Sequence, residues 1–177
     1  KESQNTWPAV QYVVSRKFIE KNCLRFIIGY LHEDLAWTGS LFIYVEKAGI
    51  CTLPWYYHRM QRKGSITSTS NPRRVCDVLE LSEVILRVLK EENVMKDRYQ
   101  LISKRVFSSI LSILSQYRLA DSNGKKQIIE CIKKHRKMLK EFRSKKAKIL
   151  MCMFKIIGIK NSLNLFCALQ NIKSVFR

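Results

Sequence analysis

Three titratable residues stand together in "LHEDLAW", residues 31–37: His32, Glu33 and Asp34, set among the apolar Leu31, Leu35 and Trp37. A carboxylate so placed can accept a proton from a hydroxyl nucleophile. At the head of a helix the dipole favours its charged form, which readies it to accept but makes it a weaker base. Acidic residues also open helices simply for stability, so both roles stand open. A second group, His58, Arg59 and Arg62, follows the aromatic run "LPWYY" and enters a Gly-Ser loop. Guanidinium groups hold a diphosphate through parallel hydrogen bonds, and an imidazole such as His58 can ligate a divalent metal or bond a phosphate. A solvated basic turn is the plainer reading of this group. Trp7, Trp37, Trp55, Tyr56 and Tyr57 offer aromatic faces that stack on sugar rings or pack a core.

The elements that must position these groups fall into two stretches. Residues 9–14, "AVQYVV", and 50–60, "ICTLPWYYHRM", are β-branched and aromatic and read as strands, the second at an edge or bulge because of Pro54. Between them "SRKFIEKN" reads as a short helix capped by Ser15. Leu35, Phe42 and Val45 predict a helix from Glu33 to Lys47, with Gly49 as its stop. After Pro72 helical periodicity takes over. It predicts helices over about 73–93 and 97–119, a turn at "ADSNGK", a third helix through Ile128 to Leu139, and two more over roughly 144–157 and 162–175. Gly158 stops the fourth of these and Asn161 or Ser162 caps the last. The expected fold is therefore α+β, mostly α: a small two-strand α/β part (1–70), then a bundle of about five helices (73–177).

Composition bounds the partners. The chain has 177 residues, with 33 Lys+Arg against 14 Asp+Glu and a formal net charge of +19. Such a charge points to a polyanion: nucleic acid, an anionic membrane surface or phosphorylated ligands. Six cysteines lie without a CxxC pair, beside three histidines, so a zinc site is not expected and a reduced, cytosolic compartment is. No secretory signal is visible in "KESQNTWPAV". No run reaches the roughly 18 apolar residues of a membrane span. The chain opens without Met and enters a strand-like pattern almost at once, so the expectation is a piece of a longer protein.

The order of pieces in the first stretch resembles the carboxyl half of the catalytic domain of bacterial family 2 glycosyltransferases, inverting enzymes of GT-A fold that build cell-envelope polysaccharides. The matches are Arg16, Phe18, Ile19, Leu24, Phe26, Gly29, Glu33 and Asp34, then Tyr56, Tyr57, Arg62, Ser65 and Ile66. The resemblance implies that residues 1–70 are the acceptor-side part of a GT-A domain and 73–177 a helical extension. It implies Asp34 as the base, with Glu33 orienting it. It implies Arg62, Arg59 and His58 at the leaving diphosphate, and Trp37, Trp55 and Tyr57 at the acceptor. It also implies a nucleotide-sugar donor, a saccharide or lipid-linked acceptor, and Mg or Mn in the full-length enzyme, with His58 as a possible metal ligand. The family's nucleotide-sugar half, with its Asp-x-Asp motif, has no counterpart here: the aspartates are 34, 77, 97 and 121. By itself the chain is expected to be inactive. Missing sheet neighbours would leave strand edges open to self-pairing as a homo-oligomer.

From Lys125 to Lys160 there are thirteen Lys/Arg against Glu130 and Glu141 alone. The stretch that follows places Leu165, Leu169, Ile172 and Phe176 on one helical face. Basic helices with an apolar stripe lie in the headgroups of anionic membranes, which predicts a cytoplasmic protein peripheral to the inner face of the membrane. The alternative is a basic helical nucleic-acid-binding or partner-interaction module with no catalytic activity. Nucleic acid is the less expected partner, because no helix-turn-helix spacing or RNA-binding aromatic signature accompanies the charge.

Overall fold

The computed structural model describes residues 7–54, 56–57 and 71–175. Among them every regular element is helical, and no strand forms. This corrects the expected α+β class. Ala9–Gln11 is a single 3-10 turn after Pro8, and residues 50–54 and 56–57 are irregular. Strand propensity is only a preference until a neighbouring strand takes up the N–H and C=O groups, and none is present among the described residues. Val13, Ile50 and Leu53 accordingly stand 85%, 95% and 73% exposed.

Helix α1 (Arg16–Lys21) starts at Ser15, whose hydroxyl accepts from the Phe18 N–H. Helix α2 (Glu33–Tyr44) begins at the acidic pair as expected but ends before Gly49. Its last carbonyls are claimed from outside, since Arg98 donates to the Ile43 oxygen at 2.9 Å. Helix α3 (Pro72–Glu91) is opened by Asn71, whose side chain accepts from Arg73 N–H, with Pro72 at its first position. Its residues Val75, Val78, Leu79, Ser82, Ile85, Leu86 and Leu89 form a continuous buried face. That face makes α3 the central element, with α2, α4 and α5 packed around it.

Helix α4 (Lys96–Leu114) runs on into a 3-10 turn, Ser115–Leu119, that buries Tyr117. The "ADSNGK" stretch is a helix start and not a separate turn, because Asp121 accepts from Gly124 N–H at 2.7 Å and opens α5 (Ser122–Lys134). The single third helix expected through Leu139 is broken at His135 (φ −92°, ψ 14°), and α6 (Arg136–Leu139) follows. Helix α7 (Lys145–Ile156) is capped by Ser144. Gly158, at φ +78°, ends it in the left-handed conformation that glycine tolerates best. Helix α8 (Gly158–Val175) starts there and not at Asn161 or Ser162. Those two side chains bond back to the carbonyls of Ile157 and Gly158 within the first turn.

One hydrophobic cluster runs from Leu35, Ala36 and Ile43 of α2 through α3, α4 and α5 to Leu150, Phe154, Leu163 and Cys167. A second, small cluster joins Leu24, Trp37 and Leu41. The α2–α3 contact is close at Gly39, where an added Cβ would lie 2.9 Å from Ile85 Cδ1. All six cysteines are free thiols. Among the described residues no helix is long and apolar enough to cross a membrane.

Candidate functional site

The acidic pair sits where a tight turn meets the first turns of α3. Gly29 takes φ +94° and redirects the chain. His32 then occupies the position before α2, and Leu35 N–H closes on its carbonyl at 3.0 Å. Because Asn71 and Pro72 fix the start of α3, residues 73, 74 and 77 project together toward this turn. Asp77, 5% exposed, accepts from Leu31 N–H at 2.8 Å and faces Arg73 Nε at 3.7 Å. Arg73 donates to the Gly29 carbonyl. Arg74, 7% exposed, donates from Nε to His32 Nε2 at 3.3 Å. The sequence reading passed over Arg73, Arg74 and Asp77. The Asn-Pro pair just before them is the signal that could have flagged them.

Burial raises the Asp34 pKa first, and the neighbouring Glu33 charge raises it further. Hydrogen bonds from the backbone N–H groups of Leu35 and Asp34 pull the other way and are outweighed. The dipole argument foresaw those backbone donors but not the net direction. Asp34 is thus a stronger base than a solvated carboxylate at a helix start. His32 is shifted down, by burial first and then by Arg74, so its ring is neutral at neutral pH. Accepting at Nε2, it carries its proton on Nδ1.

The expected aromatic platform is divided. Trp37 is 7% exposed, and Phe26 stacks on it at 5.2 Å with planes 13° apart. A ring that meets a sugar needs an open face, so Trp37 packs the small core and Phe26, 48% exposed, is the outward ring. Tyr56 and Tyr57 are 49% and 90% exposed. Trp7 is half-buried, and its carbonyl accepts from the Thr38 hydroxyl. Trp55, His58, Arg59 and Arg62 lie outside the described residues, as do Ser65 and Ile66. Among the described residues no three His, Cys, Asp or Glu side chains are placed to hold a metal ion.

A second polar cluster lies between α3 and α5 in an open groove of about 700 Å³ lined by Glu80, Glu83, Lys90, Lys134, His135 and Glu141, among others. His135 is 4% exposed, with Nδ1 2.7 Å from Glu83 and Nε2 without a hydrogen-bond partner, 4.0 Å from Glu80. Glu80 in turn accepts from Lys134 and Tyr30. His135 continues the apolar row Ile128, Cys131, Ile132, which marked its burial in advance. Its contact with Glu83 is what the sequence could not show. His135→Phe keeps most of the ring volume and removes the orphan nitrogen, so it is expected to lie within about 1 kcal/mol of wild type. His135→Ala opens a cavity and is expected to cost about 2–4 kcal/mol. Urea unfolding of the two variants checks this, and equal losses would mean that the Glu83 bond, not ring packing, is what His135 contributes.

No family model, curated protein or solved structure matches this chain, so the site stands on its own geometry.

Proposed function

We propose that the chain is the acceptor-side part of an inverting glycosyltransferase acting in cell-envelope polysaccharide synthesis, with Asp34 as its general base. The observation that carries this reading is the Asp34 carboxyl at the head of α2, made more basic by burial and by Glu33. An inverting transfer needs a group that removes the acceptor hydroxyl proton as that oxygen attacks the anomeric carbon, opposite the departing diphosphate. Asp34 supplies it. Glu33 keeps the carboxyl basic, and the His32–Arg74 and Leu31–Asp77 contacts hold the turn that aims it. On this reading the diphosphate is the ligand of Arg62, Arg59 and His58, and Phe26 and Tyr57 offer rings to a saccharide or lipid-linked acceptor.

The nucleotide pocket belongs to a half that residues 1–177 do not contain. Isothermal titration of this chain with UDP- and GDP-sugars is therefore expected to show weak binding at most. Tight, metal-dependent binding would overturn that division of labour. Transfer of a labelled sugar by a protein carrying both halves, lost in Asp34→Asn, is the direct test. A second reading, a helical module with no catalysis, is favoured by the all-helical architecture and the charge of +19. It predicts that Asp34→Asn changes nothing but stability.

A further inference from the structure

We propose that the outward face of α7 docks on an anionic lipid bilayer. At about 100° per residue, Lys145, Ile149, Cys152 and Ile156 fall within roughly 60° of one another on this helix. The opposite side, Ala147, Leu150 and Phe154, is in the core. Ile149 and Ile156 are 60% and 74% exposed, and Lys148 and Lys155 flank them along one edge. Two isoleucines set mostly in water among lysines bury less than half of their surface in the fold. From Phe142 to Arg177 the chain has eight Lys/Arg and no acidic residue, so no carboxylate of this stretch neutralises the face. Leu165 and Leu169 of α8 are also 45% and 51% exposed.

The combination selects the partner. A second copy would bring the same positive face against this one and be repelled. A nucleic-acid backbone would satisfy the lysines and leave the isoleucines in contact with phosphate and water. An anionic bilayer satisfies both at once, with lysines among the headgroups and isoleucines at the acyl boundary. This inference is independent of Asp34. It adds the α7 face to the 162–176 stripe expected from the sequence, of which Leu165 and Leu169 are exposed and the side chains of Ile172 and Phe176 lie outside the described ones.

The test is flotation of the whole chain with phosphatidylglycerol or neutral phosphatidylcholine vesicles, at low and high salt. Two variants separate the contributions: I149S/I156S and K145Q/K148Q/K155Q. All five positions are exposed, and circular dichroism is expected to show unchanged helicity. Wild type is expected to bind the anionic vesicles and to be released by salt. The lysine variant is expected to bind roughly 100-fold more weakly, and the isoleucine variant at least about tenfold more weakly. Equal binding to neutral vesicles, or wild-type binding by both variants, overturns the proposal. So does a duplex DNA or RNA oligonucleotide that displaces the vesicles and binds I149S/I156S as well as wild type.

Discussion

Asp34→Asn in a protein carrying both halves is expected to lower sugar transfer by roughly 10²–10⁴, the usual contribution of a general base. Asn keeps the size and still accepts from the backbone N–H groups at the head of α2, but it takes no proton. Stability should move the other way. A carboxyl whose folded pKa is raised contributes stability that is full below its unfolded pKa of about 3.9 and is lost as pH rises through the folded value. At neutral pH the ionised Asp34 therefore costs stability, and the neutral Asn removes that cost. The melting temperature of Asp34→Asn is expected to match or exceed wild type at pH 7, with the difference closing at low pH. In wild type, the acid limb of the rate profile should sit above the ordinary carboxylate range. Glu33→Gln should lower the rate less. It should also shift that limb downward, because the Glu33 charge helps to raise Asp34. Near-normal turnover in Asp34→Asn would leave the acidic pair as a helix start only.

Asp77→Ala is expected to be as damaging as His135→Ala. It strands the Leu31 N–H and removes the carboxylate between Arg73 and the turn. Losing one partner of a buried polar set costs about 2–4 kcal/mol. For a chain of this length that corresponds to a fall of roughly 5–15 °C in Tm. Asp77→Asn keeps an oxygen for Leu31 N–H and should lose less than half as much. Calorimetry of the pair decides the matter: equal losses would show that the Leu31 bond does not hold the turn.

Some helix starts were legible: the helix at Ser15 was read from its cap, whereas the last helix, expected from Asn161 or Ser162, starts at Gly158. Ser15, Asn71 with Pro72, and Ser144 each combine a capping side chain with an apolar period behind it, and each opens a helix in the structure. These signals are local, so the sequence carries them whole. Asp121 carries the same signal, but its Ser-Asn-Gly neighbours imitate a turn. The lack of strands among the described residues was not legible, because "AVQYVV" states a preference while pairing needs a partner strand elsewhere. The break at His135 was hidden for a similar reason: the side chain that holds its ring, Glu83, is 52 residues away. At the site the acidic pair was visible from type and position. Its basicity comes from burial and from Glu33 beside it, whereas the side chains that hold its turn, Arg74 and Asp77, come from another helix and were seen only once folded.

Gly39 gives α2 the mechanics of a lever. The helix rests on Ile85 where the missing Cβ permits it, and Asp34 lies five residues toward the N-terminal end, about 7.5 Å along the axis. A tilt of about 10° about that fulcrum swings the carboxylate by about 1.3 Å, a displacement on the scale that costs a positioned group roughly 100-fold in rate. On the proposed function Ile85 would touch no reacting atom, yet its bulk against Gly39 would set the angle of the arm. Exchanging it for Val or Leu would retune the aim of Asp34 from the far side of the helix pair.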